Sequence, residues 1–341
     1  MPAYDLSNVE VAVIDTQSNT LRLLRDVLSR LGVKKIELYD SIPHAAQLLT
    51  GGAPDVVLVD CDGPHEAEAF RYIRTFRNEP ETPNPYAVII VTTWQATPGQ
   101  LMRTTNCGAD DLISKPLSPK QLQERLHLLI EARKKFVVTA DYTGPDRRKS
   151  PREGVQMPLI DVPNTLRLKA LGRWPVGNYK QMMDESARQV NLQKRLRGAI
   201  QVSFLIEYAV PGLTARPAQK TAIEHVSRVP GIVEDMQRRL SGSPSPSSAE
   251  TLCRALKAIS EKLCSTAEQG RLDSGEVAQA QKLADELMHC VAPERPLEDM
   301  RREVASAVAG YRSRLEQLTL AKQGGGQTAP GPDRDGKAPA G

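Results

Sequence analysis

The sequence predicts an α/β fold over residues 1–135, a doubly wound five-stranded parallel sheet, followed by a mostly α-helical region. Two observations predict the sheet. Short β-branched runs such as Val56–Val59 are typical of strands that are buried on both faces of a parallel sheet. These runs alternate with helical patterns five times between Val9 and Lys134, which indicates consecutive parallel β–α–β units.

The predicted elements alternate in a regular order along this part of the chain. Strands are predicted at Val9–Asp15, Ile36–Tyr39, Pro54–Asp60, Ala87–Thr93 and Asp111–Ser114. Helices are predicted over Leu21–Leu31, near His44–Leu49, over Glu66–Arg77, near Pro98–Asn106 and over Ser118–Arg133. This succession predicts the flavodoxin-like topology among doubly wound folds.

Composition excludes several classes of function. The formal net charge of +4 implies no strongly charged partner, and an aromatic content of 4% argues against stacking platforms for single-stranded nucleic acid. The five cysteines form no C-x-x-C pair, which favours free thiols in a reducing compartment. No apolar stretch approaches the ~20 residues that a membrane span requires. The sequence therefore predicts a cytoplasmic protein without a membrane partner.

Polar side chains stand at the carboxyl ends of four predicted strands. Asp15 and Asp60 end two of the strands, Thr92 lies near the end of a third, and Lys115 follows a fourth. Because ligands of open α/β sheets bind outside the carboxyl ends of the strands, we expect these side chains to converge on one pocket. An aspartate after an apolar strand is also a common helix N-cap, so one such residue alone would leave both interpretations open.

In this order and spacing, the four positions resemble the receiver domain of bacterial two-component response regulators, which are CheY-like, over residues 5–135. The resemblance implies that Asp60 accepts a phosphoryl group from a sensor histidine kinase or a phosphotransfer protein. Lys115 would pair with the phosphoryl oxygens, and Thr92 would donate its hydroxyl to them. The implied role is signalling rather than enzymatic catalysis.

The resemblance also implies a magnesium ion as the cofactor. Its ligands would come from Asp15, Asp60 and the main-chain carbonyl of Asp62. Receivers usually carry two consecutive acids after the first strand, but here Thr16 follows Asp15, which should weaken metal binding. The Asp62 carboxylate is a hypothetical replacement for the missing acid. Magnesium prefers octahedral oxygen ligands and retains several waters, so this set is chemically suitable.

A second departure concerns how a phosphoryl group would be sensed. The position three residues before the lysine usually carries an aromatic switch residue, but here it is Leu112. An aromatic rotation therefore cannot report phosphorylation in this chain. The signal should instead act through Thr92 and a backbone shift of the face formed by the fourth and fifth helices.

The remainder of the chain is predicted as three segments. Residues 136–177 are predicted to be a linker rich in Pro and Arg, including Arg147, Arg148, Lys149 and Arg152. Residues 178–322 are predicted to be a helical output region and 323–341 a disordered tail. Within the output region, helices are predicted over Asn178–Tyr208, ending at Pro211, and over Ala218–Leu240 with an interruption near Pro230.

The sequence of the output region shows no DNA-binding, cyclase, phosphodiesterase or ATPase motif, so output through an unknown downstream protein is predicted. A homodimer through the helix Arg301–Leu320 is an alternative use of this region. Two other functions remain open. A degenerate pseudo-receiver scaffold would use the fold without phosphorylation, as Thr16 suggests, and a DNA-binding regulator would use the basic residues of the linker.

Overall fold

The computed structural model describes residues 4–148, 158–175, 177–240 and 247–324. In that part of the chain the strands are β1 (Glu10–Ile14), β2 (Lys35–Tyr39), β3 (Val56–Asp60), β4 (Val88–Thr93), β5 (Asp111–Ser114), β6 (Phe136–Val138), β7 (Thr143–Pro145) and β8 (Leu159–Ile160). The helices are α1 (Ser18–Arg30), α2 (Ile42–Ala45), α3 (Glu66–Asn78), α4 (Pro98–Cys107), α5 (Pro119–Glu131), α6 (Thr165–Ala170), α7 (Tyr179–Leu213), α8 (Lys220–Val226), α9 (Val229–Leu240), α10 (Ser247–Glu268), α11 (Ser274–Val291) and α12 (Leu297–Gly324).

Strands β1 to β5 form one parallel sheet in the order β2-β1-β3-β4-β5. This is the flavodoxin-like order, and it confirms the fold predicted from the alternating pattern. The strand order reverses between β1 and β3. From β1 the chain first adds β2 at one edge of the sheet and then adds β3, β4 and β5 on the opposite side of β1. Ligand sites of such sheets lie at the carboxyl ends of the strands on either side of that reversal.

Both faces of this sheet are covered, which explains the continuous apolar runs. Val56 and Leu58 pack into one core with α1 and α5, while Val57 and Val59 pack into the other with α3. Successive strand residues point to opposite faces, so a strand that is buried on both sides needs an apolar residue at every position. Asp60 departs from that rule only because it stands where the strand leaves the core.

The segment after α5 is folded, and this differs from the predicted linker. Strands β6, β7 and β8 form an antiparallel sheet in the order β7-β6-β8, called the second sheet below, and α6 follows it. Phe136 is fully buried and lies over the guanidinium carbons of Arg77 and Arg133, at 5.2 and 5.0 Å from its ring centroid. Although most of the segment is polar, a few buried apolar side chains hold it in place. Lys149 and Arg152 lie outside the described residues.

The chain divides into two compact units. One comprises Met1–Ala199 and Ile232–Cys253, and the other comprises Ile200–Gly231 and Arg254–Gly341. The helical region predicted as one segment is thus shared between both units, since α7, α9 and α10 each contribute residues to both. None of the helices that the structure describes has the length and apolar content that crossing a membrane requires.

Pro211 and Pro230 do not end or interrupt helices at the positions predicted from the sequence. Helix α7 continues through Pro211 and ends at Leu213, so the missing N–H affects only its last turn. The interruption between α8 and α9 falls at Ser227 and Arg228, whereas Pro230 lies in the first turn of α9. A proline at that position removes no helical hydrogen bond, because the first N–H groups have no partner within the helix. The first two residues of the predicted tail, Gln323 and Gly324, belong to α12, and residues 325–341 lie outside the described residues.

Candidate functional site

The parallel sheet brings the predicted site residues to one edge. Asp60 ends β3 and stands directly opposite Thr92 of β4 in the register of the sheet. Asp15 follows the last residue of β1, and Lys115 follows the last residue of β5. The backbone continues the pattern beyond the strands, since the Lys115 N–H donates to the carbonyl oxygen of Thr93 at 2.7 Å. The convergence predicted from the strand ends is therefore observed.

The ammonium group of Lys115 lies among three carboxylates. Its Nζ donates to Oδ1 of Asp60 at 2.5 Å and to Oδ2 of Asp15 at 2.8 Å, and it lies 3.6 Å from Oδ2 of Asp62. The side chains of Lys115 and Asp15 are 2% and 1% exposed, whereas that of Asp60 is 10% exposed. Asp60 is thus the member of the pair with Asp15 that solvent or a small ligand can approach.

Burial and charge set the protonation of these groups. Burial raises the pKa of Asp60 to about 7, although hydrogen bonding and charge attraction from Lys115 oppose that increase. Burial also opposes the charge on Lys115, but its bonds to Asp15 and Asp60 outweigh burial and raise its pKa. Lys115 therefore remains a cation beside a carboxyl group that holds its proton more tightly than an exposed aspartate.

Asp62 lies at the rim and faces the segment that follows β4. Its Oδ1 accepts the hydroxyl of Thr93 at 2.6 Å, and its Oδ2 accepts the N–H of Trp94 at 2.9 Å. Burial opposes the charge of this carboxylate, but the bonds from Thr93 and Trp94 outweigh it and lower the pKa of Asp62. The carboxylate predicted to replace the missing acid is therefore already engaged by main chain and hydroxyl.

Thr92 was predicted as a site residue, whereas Thr93 was not. Thr92 is almost fully buried beside Asp60, and its carbonyl oxygen accepts the N–H of Cys61 at 3.0 Å. The hydroxyl bonded to the acid cluster belongs to Thr93 instead. Two consecutive threonines at a strand end present hydroxyls to opposite sides of the sheet, and that alternation was the available signal.

The position of the missing acid borders an open cleft. Asp15, Thr16 and Asp60 line a cleft of about 260 Å³, together with residues of the β2–α2 and β3–α3 connections. Within the described residues, no group of three or more His, Cys, Asp and Glu side chains is arranged to hold a metal ion. The predicted ligand set therefore stays a prediction, although its oxygens are of the type that magnesium prefers.

At the position where receivers usually carry an aromatic switch residue, this chain has Leu112, whose side chain packs inward. It lies on β5 and is partly buried against the core formed with α3. The exposed aromatic side chain near the site is Trp94, which directly follows β4 and is 55% exposed. Lys115 Nζ lies 5.7 Å from the centroid of its ring.

Comparison with known proteins defines the class of this domain. Residues 11–127 match the family model of the response regulator receiver domain. The matched residues contain the parallel sheet apart from Glu10, the first residue of β1, and they contain the four strand-end side chains. The amino-terminal part of the chain is therefore a receiver domain of two-component response regulators, whereas the second sheet and α6 to α12 lie outside the matched residues.

Three relatives show the same extent of similarity. The chain is 23% identical over 126 residues to a probable chemotaxis protein CheY of Rhizobium etli, covering 37% of this chain and 95% of the relative. It is 25% identical over 131 residues to hybrid signal transduction histidine kinase D of Dictyostelium discoideum, covering 37% of this chain and 8% of that protein. It is 26% identical over 140 residues to a probable transcriptional regulator, ycf27, of Guillardia theta, covering 41% and 52%. The chain thus spans less than a tenth of the kinase and about half of the transcriptional regulator.

Solved structures of similar proteins each cover about a third of the chain. The chemotaxis protein CheY4 of Vibrio cholerae has 18% identity and a TM-score of 0.31, covering 35% of this chain and 96% of that one. The receiver domain of a signal transduction histidine kinase from Syntrophus aciditrophicus has 23% identity and a TM-score of 0.32, covering 36% and 89%.

Proposed function

We propose that this protein is a response regulator whose Asp60 accepts a phosphoryl group from a sensor histidine kinase or a phosphotransfer protein. One observation carries the proposal: the Asp60 carboxylate is the accessible member of a buried acid pair and bonds the Lys115 ammonium at 2.5 Å. A nucleophile beside a cation at the carboxyl edge of a sheet is an arrangement that supports phosphoryl transfer to a carboxylate.

The transfer needs little covalent help from the protein. A carboxylate oxygen of Asp60 forms a bond to phosphorus, while the bond from phosphorus to the donor's leaving nitrogen breaks. Lys115 would move with the developing charge and pair with the phosphoryl oxygens, because its Nζ already reaches Asp60. Thr92 would donate its hydroxyl from the opposite strand, where the register places it beside Asp60.

A magnesium ion fits this site only in part. Asp15 and Asp60 offer hard carboxylate oxygens beside the cleft, and the Asp62 main-chain carbonyl is available as a further ligand. The Asp62 carboxylate is occupied by Thr93 and Trp94, and Thr16 supplies no charge. When bound, the ion would neutralise charge on the phosphoryl oxygens. We therefore propose weak magnesium binding.

The output would act through protein contacts of the helical region rather than through enzymatic activity. The downstream partner, a homodimer and the cytoplasmic location stay predictions. The degenerate scaffold remains the second candidate, and Thr16 in the cleft is the observation that favours it. The DNA-binding alternative stays a prediction, and Lys149 and Arg152, two of its four basic residues, lie outside the described residues.

Intact-mass spectrometry of the full chain tests the proposal. Wild type, incubated with magnesium and a small acyl phosphate donor, should gain one phosphoryl group, and Asp60→Asn should gain none. Asp40→Asn is the matched control, since it removes an exposed carboxylate that lines the same cleft without touching Lys115. Equal gains in wild type and Asp60→Asn, or no gain at saturating magnesium, would contradict the proposal.

A further inference from the structure

The Asp62 carboxylate ties the loop after Asp60 to the segment after β4. Each of its oxygens holds a different neighbour, since Oδ1 accepts the Thr93 hydroxyl at 2.6 Å and Oδ2 accepts the Trp94 N–H at 2.9 Å. Charge-assisted hydrogen bonds of this kind are about twice as strong as neutral ones. One side chain thus fixes two consecutive residues of a different strand end.

The connection continues into the start of α4. The Thr93 hydroxyl lies 3.2 Å from Oε1 of Gln100 in the first turn of α4, and the N–H of Gln95 donates to it at 3.2 Å. Beyond this hydroxyl, Trp94 presents a 55% exposed indole. The position of that indole therefore depends on whether Asp62 holds the main chain beneath it.

Lys115 makes the hydrogen bonds of Asp62 sensitive to the charge on Asp60. Its Nζ lies 2.5 Å from Asp60 and 3.6 Å from Asp62, so one cation serves both carboxylates. A phosphoryl group adds roughly −1.5 to −2 charges at neutral pH. That charge on Asp60 would draw Lys115 away from Asp62 and repel the Asp62 carboxylate at close range.

We infer that Asp62 is a positioning residue that holds the Thr93–Gln95 segment while Asp60 is unmodified and releases Trp94 when Asp60 carries a phosphoryl group. The inference rests on the proposed function and specifies how phosphorylation of Asp60 would change the protein surface. It supplies this chain with a response that needs no aromatic side chain at position 112, where Leu112 packs into the core. The released segment leads directly into α4, through Thr97 as its N-cap.

Fluorescence of Trp94 tests the inference in the full chain. The chain contains two tryptophans, so a Trp174→Phe background leaves Trp94 as the single emitter. Emission is recorded before and after addition of magnesium and an acyl phosphate donor, and intact mass is measured on the same samples. Two substitutions at position 62 are compared, and both retain its main-chain carbonyl. Glu68→Gln is the control, because it neutralises a carboxylate that lines the cleft outside the Asp62 contacts.

The two substitutions should behave differently. In Asp62→Asn the amide oxygen can still accept the Trp94 N–H but carries no charge, so resting emission should match the unsubstituted background and the donor-induced change should be lost. In Asp62→Ala the segment is released from the start. Its resting emission should match that of the phosphorylated background, and the donor should add nothing. Glu68→Gln should retain the full donor-induced change.

Different results would contradict the role of Asp62 and the phosphorylation of Asp60. A phosphoryl gain with donor-induced changes of background size in both position 62 variants would overturn the inference and leave the proposed function standing. The same holds if Asp62→Ala shows the resting emission of the unmodified background. Absence of any phosphoryl gain in the background protein would overturn the proposed function and the inference with it.

Discussion

Gly108 and Gly144 approach each other so closely that neither position has room for a side chain. A Cβ on Gly144 would lie 2.7 Å from the Cα of Gly108, and a Cβ on Gly108 would lie 2.6 Å from the carbonyl oxygen of Thr143. Gly108 also has a φ of +96°, which L side chains rarely adopt. These two glycines allow the second sheet to lie directly against the turn that precedes β5.

Gly144→Ala should therefore destabilise the amino-terminal unit. The added methyl group would meet backbone and the Tyr142 ring rather than a flexible side chain, so the strand must move. Overpacking of this kind typically costs about 1–3 kcal/mol. The free energy of unfolding in urea measures the effect. Gly177→Ala is the matched control, because a Cβ there meets nothing within 4 Å, and equal stability of both variants would contradict the packing.

Asp110 should be essential for the stability of the same region. Its carboxylate is 1% exposed and bonds Arg77 at 2.8 Å and Arg133 at 2.7 Å. Asp110→Asn would leave the fully buried Arg77 guanidinium without its counter-charge, a change that typically costs about 3–5 kcal/mol. Glu185→Gln removes an exposed pair with Arg188 and should change stability by less than about 0.5 kcal/mol. Similar losses in both variants would refute the assignment.

Lys194 should make stability depend on pH in the alkaline range. Burial, followed by repulsion from Arg239, lowers its pKa to about 8. Between that value and the ordinary lysine pKa of about 10.4, the unfolded chain binds a proton that the folded chain has released, so the free energy of unfolding should rise with pH. Below pH 8 both states are charged, and the cost of burying the ammonium is at its maximum.

Lys194→Met should remove that dependence. At pH 7 the variant should be more stable than wild type by about 1–3 kcal/mol, because a charge is replaced by an apolar side chain of similar length in a buried position. The difference should shrink as the pH approaches 10. Urea unfolding at a series of pH values measures it. A wild-type advantage at pH 7 would show that the hydrogen bond from Lys194 to Asn78 outweighs the burial of charge.

Thr16→Asp should strengthen the response to magnesium. It places a carboxylate on the cleft beside Asp15 and Asp60, where a second acid is missing. A hard oxygen ligand with a full charge is the type magnesium prefers, so the magnesium concentration for half-maximal phosphorylation should fall. Gln17→Glu adds the same charge one residue away, outside the residues that line the cleft. An equal shift in both variants would indicate a general effect of charge.

The sheet and its central acid could be predicted because both follow from local patterns. Apolar runs at every position signal strands buried on two faces, and parallel strands must place their carboxyl ends at one edge. Asp15, Asp60 and Lys115 could therefore be assigned to one site from their positions at the strand ends alone. The alternation of side chains along β4 could have shown that Thr92 and Thr93 face opposite sides of the sheet. It could not show that Thr93 bonds Asp62, because that contact depends on how one side chain turns at a strand end.

The second sheet escaped prediction for a different reason. Its strands have only two or three residues each, and β8 pairs with β6 from more than twenty residues away. Turn-forming and basic residues dominate the composition of the segment, while its stability depends on a few buried side chains such as Phe136 and Tyr142. Buried anchors in a polar segment leave no periodic pattern from which a strand could be inferred.

Chemical mapping of the modified residue tests the central claim most directly. Borohydride reduces an aspartyl phosphate to homoserine, so the full chain is treated with the phosphodonor and magnesium, reduced, digested and sequenced by mass spectrometry. The account predicts homoserine at position 60, dependent on the donor, with every other aspartate of the site intact. Homoserine at Asp15 or Asp62 instead, or none anywhere after treatment with donor, would contradict the assignment of Asp60 as the phosphoacceptor.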